Sequence, residues 1–139
     1  MNYLETFYEV MEEAKNIAVA TSVDNTPNVR IMDFVYDKDA NVVYVTSFRG
    51  NPKTAEFETN NKVSITTLPY ASQKHIRSIN AVIKKSDSSI FDKADIFIKK
   101  SPGFKQTVEM AGPMLDVYEI TANEFIVTPD MQHTDTIKL

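Results

Sequence analysis

Three strand-like segments in the first half of the chain are joined only by short turns. They cover residues 16–23, 28–36 and 42–47, and the links 24–27 and 37–41 are rich in Asp, Asn and Pro. Parallel neighbours need a crossover of about a dozen residues or more, so links this short predict antiparallel hairpins. Apolar or small side chains occupy both the odd and the even positions of these strands, which point to opposite faces of the sheet. We therefore expect both faces to be covered. A closed barrel packed against helices or a second subunit would provide that cover.

The rest of the chain falls into blocks of helix and strand. Residues 3–14 place Leu4, Phe7 and Met11 on one face, the spacing typical of an amphipathic helix. Further helices are predicted over 51–60, 86–100 and 102–110, and further strands over 63–68, 76–85 and, in two pieces, 114–128. This order predicts one α+β domain over residues 1–139, mainly β, built on an antiparallel barrel with flanking helices.

Composition excludes several classes of function. The absence of cysteine excludes disulfides, thiolate metal sites and cysteine nucleophiles. Three glycines are too few for a dinucleotide-binding or Walker-type loop, and two histidines without cysteine do not make an ordinary zinc site. A net charge of -4 disfavours nucleic acid as a partner. Any activity is therefore expected to come from a cofactor.

No targeting or membrane-spanning segment is evident in the sequence. Its start lacks the basic region and apolar run of a signal peptide. No stretch approaches the roughly 20 apolar residues that cross a bilayer. We therefore expect a cytoplasmic protein with no membrane partner.

One loop combines a strand end with a capped helix start. Thr46 and Ser47 end the strand, and Asn51 followed by Pro52 is a favourable N-cap and first helical position. Backbone N–H groups and the positive end of the helix dipole favour an anion there, and Lys53 stands beside them. A capped helix with a solvated lysine explains the same residues, so both interpretations stay open on this loop alone.

Arg30 is the second candidate residue. It shares the strand parity of the apolar Met32 and Phe34. Two interpretations of this position stay open. The aliphatic part of the arginine side chain can cover apolar neighbours, or the guanidinium can be directed at a phosphate. Together with Lys53 it would bring two cations to a dianion that the chain's net charge would otherwise repel.

Five segments carry a family resemblance through their order and spacing: IAVATS at 17–22, TPNVRIM at 26–32, VYVTS at 43–47, NPK at 51–53 and NNKVSI at 60–65. With these segments the chain resembles the pyridoxamine 5'-phosphate oxidase-like family, the split barrels that bind flavin mononucleotide (FMN). The resemblance covers a little over half the chain. It implies an FMN-binding flavoprotein and oxidoreductase with a small-molecule substrate, and a homodimer with the cofactor between its subunits.

The resemblance also assigns site residues. Arg30 and Lys53 match the positions that hold the FMN phosphate, and Thr46 and Ser47 match positions that add hydroxyl or backbone contacts. No general acid or base and no metal ligand is assigned.

Four further residues match positions around the flavin ring. The backbone of Ile31 and Met32 matches the stretch beneath the ring, and Val45 matches a ring-side strand position. His75 falls near a position where the family often carries a glutamine against the flavin. A histidine held by a structural hydrogen bond explains His75 equally well.

Two departures disfavour the vitamin B6 oxidase reaction itself. Val35 stands where those enzymes carry a lysine, and the tail 132–139 lacks their arginine–histidine pair. Substrate and electron donor therefore stay unassigned. The alternative interpretation is a non-catalytic dimeric barrel that binds or senses flavin, deazaflavin or haem.

Overall fold

The computed structural model describes residues 2–69 and 72–139. Its elements are, in chain order, α1 (Tyr3–Glu13), β1 (Asn16–Val23), β2 (Thr26–Asp37), β3 (Val42–Phe48), α2 (Pro52–Thr59), β4 (Lys62–Thr67), β5 (His75–Lys85), α3 (Ile90–Lys100), α4 (Phe104–Ala111), a 3₁₀ turn (Gly112–Met114), β6 (Leu115–Thr121), β7 (Glu124–Thr128) and β8 (Asp135–Lys138). Among these residues no helix is both long and apolar enough to cross a membrane.

Six strands close into an antiparallel barrel. They follow the order β4-β1-β2-β3-β6-β5, and pairing of β4 with β5 completes the ring. Strands β7 and β8 extend the sheet outward from β5. The mainly β, α+β split-barrel architecture predicted from the sequence is confirmed.

Strand β2 exchanges its pairing partner along its length. Its first eight residues, from Thr26 to Asp33, pair with β1, whereas pairing with β3 begins at Phe34 and ends at Asp37. On the other side of this junction, β3 pairs with β2 through Val42–Val45 and continues alone beside β6 to Phe48. The two strands therefore separate toward one end of the barrel, and this opening positions the candidate site.

The barrel interior and one outer face form two separate apolar cores. Inside, side chains of alternate parity from every barrel strand pack with Phe7 and Met11 of α1 and Phe57 of α2. Outside, α3 and α4 cover a second cluster that includes Tyr44 and Val117. Helices of the same chain thus cover the outward side chains of β3, which explains why both parities of this strand are apolar.

Two elements differ from the sequence prediction. Helix α3 begins at Ile90 rather than near residue 86 because Ser89 caps it: its hydroxyl accepts the Asp92 N–H at 3.2 Å, and the Asp92 carboxylate accepts the Ser89 N–H at 2.9 Å. Strand β8 was not anticipated, since its four residues are mostly exposed and pair only with β7.

The outer face of β1, β4, β5 and the first part of β2, up to Ile31, is not covered by any helix of the described chain, whereas Val35 farther along β2 lies under α3. Small side chains line its middle, with Ala18 and Ala20 on β1 half-buried. Large apolar residues flank them, because Val29, Ile31 and Ile79 are each more than 60% exposed. This face is the part of the barrel for which the single chain provides no cover.

Lys100 joins three elements at the end of α3. Its ammonium donates to the carbonyl oxygens of Phe34 at 2.9 Å and Met11 at 3.4 Å, and it lies 3.7 Å from the centre of the Phe34 ring. The Met11 carbonyl belongs to the last turn of α1, where carbonyl groups lack partners within the helix. Burial lowers the pKa of Lys100 to about 8, although Asp33 and Glu12 act in the opposite direction.

We expect the free energy of unfolding to rise with pH because Lys100 loses its proton more readily in the folded chain than in the unfolded chain. Between about pH 8 and the unfolded value of 10.5 the unfolded chain keeps this proton while the folded chain loses it, so alkaline pH favours the folded state. Partial solvent access limits the slope to less than about 1 kcal/mol per pH unit. Urea unfolding at about pH 7.5 and about pH 9.5 measures it.

Lys100→Met should reduce this slope, whereas Lys99→Met, which removes a charge from the exposed neighbouring position, should retain it. Equal slopes in the parent and Lys100→Met would contradict the assignment.

Candidate functional site

The candidate site lies where β2 and β3 separate. Helix α2 begins shortly after β3 and packs against β1, with Phe57 as its single fully buried residue. The β2 edge that faces β3 has no strand partner from Thr26 to Asp33 among the described residues. Polar side chains from β1, β2, β3 and α2 therefore meet at this end of the barrel.

Arg30 points toward this end of the barrel and is 15% exposed. Its Nη1 donates to Thr21 Oγ1 at 2.9 Å and to the Val19 carbonyl at 3.1 Å, and its Nη2 lies 2.9 Å from Glu56 Oε2. The guanidinium carbon is 5.5 Å from the centre of the Phe57 ring. The parity argument correctly placed Arg30 on the core side, but the sequence did not indicate that an internal carboxylate pairs with it.

Glu56 collects hydrogen bonds from both β1 and β2. Its Oε1 accepts from Thr21 at 3.0 Å, and the Asn28 amide donates to its two oxygens at 3.2 and 3.3 Å. Partial burial raises the pKa of this carboxyl, but the bonds from Thr21 and Asn28 and the Arg30 charge outweigh it, so the pKa lies below its ordinary value. Glu56 is therefore ionised at neutral pH.

The start of α2 is capped by its own chain. Asn51 Oδ1 accepts the Lys53 N–H at 3.1 Å, and the Asn51 carbonyl accepts the Thr54 N–H at 3.0 Å. Pro52 has no N–H, so the backbone donors expected to be free at this helix start are mostly absent or used. The Lys53 side chain is half-buried, and within residues 2–69 and 72–139 it forms no ion pair.

Thr46 and Ser47 lie on opposite faces of β3. Ser47 is buried and faces the barrel interior opposite Asp116, whereas Thr46 is half-buried on the outer side. One strand position therefore separates their side chains, and only the Ser47 hydroxyl is directed to the inner side of the opening.

Arg49 and Asp116 form a second ion pair beside Ser47. Arg49 donates through Nη2 at 2.9 Å and through Nε at 3.3 Å, and Lys85 Nζ lies 3.7 Å from the other carboxylate oxygen. Arg49 first, and then Lys85, hold the pKa of Asp116 below its ordinary value. Arg49 is 58% exposed at the mouth of the opening, and sequence reasoning missed it because its partner is 67 residues away.

The residues expected beside the flavin ring differ in whether their side chains are exposed. The side chains of Met32 and Val45 are buried in the barrel core, so only their backbone can contact a ligand. Ile31 points outward and is 64% exposed. The structure thus places Ile31 and Met32 along the open edge of β2, whereas the Val45 side chain belongs to the core.

His75 lies away from these residues. It starts β5, which is three strands from β2 in either direction around the barrel. Its Nδ1 is 2.9 Å from the Gln73 carbonyl oxygen, and it lines a groove of about 500 Å³ with His133. Within one chain, His75 is therefore not brought together with Arg30 and Lys53.

The described residues contain no group of three or more His, Asp or Glu side chains arranged for a metal ion.

Solved structures of low sequence identity share this fold. A NimC/NimA family protein from Clostridium acetobutylicum is 17% identical with a TM-score of 0.73, and the alignment covers 99% of this chain and 92% of that one. General stress protein 26 from Bacillus anthracis is 13% identical with a TM-score of 0.76, and both chains are covered completely. HutZ, the haem storage protein of Vibrio cholerae, is 16% identical with a TM-score of 0.74, covering 96% and 100%.

The family comparison is more specific than these structural similarities. A search of curated protein sequences finds no significant match. The model of the family described as pyridoxamine 5'-phosphate oxidase-like matches residues 10–134, which contain all six barrel strands, the helices α2, α3 and α4, and β7. The chain therefore belongs to the pyridoxamine 5'-phosphate oxidase-like family.

Proposed function

We propose that this protein binds FMN at the open end of its barrel and acts as a flavin-dependent oxidoreductase. The observation that carries the proposal is the position of Lys53. It stands in the first turn of α2 beside the separated ends of β2 and β3, without an ion-pair partner in the described chain. In a chain of net charge -4, a half-buried cation at an opening favours an anionic ligand.

The phosphate of FMN fits the side of the opening formed by α2. Lys53 supplies a point charge, and the Ser47 hydroxyl lies on the neighbouring strand. Arg49 adds an exposed guanidinium at the mouth, although Asp116 already uses two of its donors. Lys53 is therefore the cation on which phosphate binding depends most.

The flavin ring fits the open edge of β2. Backbone groups along an edge that has no neighbouring strand are available to the polar rim of a planar ring. The backbone of Ile31 and Met32 lies on this edge, which supports placing the ring there. Val45 contributes the wall of the core behind the site rather than a contact of its side chain.

FMN supplies the hydride or electron transfer, and the residues of this chain bind the cofactor, orient it and exclude water. Among the residues around the opening we assign none as a general acid or base.

The uncovered outer face supports a homodimer as the working form. Its small central residues, Ala18, Ala20 and Ser64, allow close approach of a second sheet, and exposed Val29 and Ile31 would be buried by it. Ile31 also borders the open edge of β2. A second copy on this face would therefore lie next to the cofactor and complete its site.

Haem binding is the second candidate, and one observation favours it. The chain's two histidines, His75 and His133, line the same groove, and both rings are held through Nδ1, His133 at 2.8 Å from Asp130. A ligating histidine is commonly oriented in this way by its other nitrogen. One structural neighbour is described as a haem storage protein.

Lys53→Ala should weaken FMN binding by roughly 10- to 150-fold, the effect of losing one charge-assisted hydrogen bond. Binding is measured by titration of flavin fluorescence. Riboflavin, which lacks the phosphate, should bind weakly and respond little to the substitution. Lys105→Ala, an exposed lysine of α4, is the matched control and should leave FMN affinity unchanged.

Three outcomes contradict the proposal. Equal affinities for FMN and riboflavin would exclude the phosphate contact, and an unchanged affinity in Lys53→Ala would exclude its assignment to this residue. A parent protein that binds haem but no flavin would favour the histidine groove instead.

Sedimentation velocity at micromolar concentration should show a dimer. Ile31→Lys places a charge in the proposed interface and should produce a monomer, because a buried unpaired ammonium opposes association. Met131→Lys, at an exposed position on the histidine groove, should remain dimeric. A monomeric parent would exclude the homodimer.

A further inference from the structure

Arg30 already binds an anion of its own chain. Its guanidinium contacts the Glu56 carboxylate at 2.9 Å, the Thr21 hydroxyl at 2.9 Å and the Val19 carbonyl at 3.1 Å. One face lies against the Phe57 ring. These contacts use three of the five guanidinium N–H groups, and Glu56 is the only one of the three partners with a charge.

The Glu56 carboxylate uses the kinds of donor that a phosphate uses. A guanidinium, a hydroxyl and a primary amide surround it, from Arg30, Thr21 and Asn28. This set resembles a phosphate site more than a simple surface ion pair. The pair is also largely shielded, with exposed fractions of 15% for Arg30 and 25% for Glu56.

A phosphate dianion that reached Arg30 would meet the fixed negative charge of Glu56. Two anions at hydrogen-bond distance from one guanidinium repel each other strongly where solvent screening is poor. The phosphate and the carboxylate therefore compete for the guanidinium of Arg30.

We propose that Glu56 is an internal competitor: it occupies the phosphate position at Arg30 in the free protein, and a phosphorylated ligand engages Arg30 only by displacing it. This inference rests on the proposed function. It makes Glu56 the residue that sets how strongly the site prefers FMN to riboflavin. Lys53 meets the phosphate without such competition, whereas the contribution of Arg30 is reduced by what displacement costs.

The geometry of α2 couples the two residues. Lys53 and Glu56 are three positions apart, so they lie on neighbouring turns of one helix face. Displacing Glu56 breaks its bonds to β1 and β2 while Lys53 gains a ligand on the same helix. Binding therefore exchanges one set of polar contacts of α2 for another.

Glu56→Gln is the direct test. The amide retains the size of the side chain and a weaker acceptor for Arg30 and Thr21, but removes the competing charge. FMN affinity should rise roughly tenfold or more, since a neutral acceptor competes less well for a guanidinium. Riboflavin affinity should stay unchanged, because riboflavin carries no phosphate to compete.

Glu58→Gln is the matched control. Glu58 is an exposed carboxylate on the same helix and makes none of the contacts to Arg30, so its removal changes the net charge equally. FMN affinity should then change by less than about twofold at physiological salt, where exposed charges are screened. A gain equal to that of Glu56→Gln would overturn the inference in favour of a general charge effect.

A second variant covers the case in which Glu56→Gln does not fold, which thermal unfolding would reveal. Asn28→Ala removes the amide that helps to hold the carboxylate in place and keeps all charges, so FMN should again bind more tightly, by a smaller factor. If the parent binds FMN and a folded variant binds it with unchanged affinity, the role of Glu56 as a competitor is excluded, whereas the proposed FMN site is retained. Failure of the parent and both variants to bind FMN would instead remove the proposed function.

Discussion

The partner exchange of β2 is the constraint on which the candidate site depends. A twelve-residue strand that twists as strands do cannot keep one neighbour on each side over its whole length in a closed six-stranded barrel. β2 therefore pairs with β1 first and with β3 only from Phe34 onward. The separation leaves an open backbone edge, and the chain covers part of it with α2 directly after β3.

Much of the fold could be predicted because its signals are local. Alternation of apolar residues located β1, β2 and β3 to within two residues, and the Asn51–Pro52 cap located α2. A barrel was predicted, but which strands close it could not be derived this way, since no local pattern marks the partners in the β3–β6 and β4–β5 pairings. Strand β8 was not predicted because its four mostly exposed residues show too little periodicity.

Parity predicted which side of a strand a residue faces, but not what it meets there. Arg30 was correctly assigned to the inner side, and the same reasoning explains why Met32 is buried. Its pairing with Glu56 depends on where α2 lies across the barrel end, which no pattern within β2 reports. Within one chain His75 lies on β5 and lines a different groove, so its place beside a flavin stays a prediction of the family resemblance.

Helix α2 is anchored less by apolar burial than α1 and α3. Phe57 is its one fully buried side chain, whereas α1 buries three residues and α3 joins a second core. Its position therefore depends strongly on the contacts of Glu56 with Arg30, Thr21 and Asn28. Polar contacts near solvent can be replaced by other polar contacts at a small net cost in free energy. Buried apolar contacts have no such replacement in water. The helix that carries Lys53 is thus held at the barrel end by Phe57 and by the polar contacts of Glu56, and only the polar contacts can be exchanged for those of an anion.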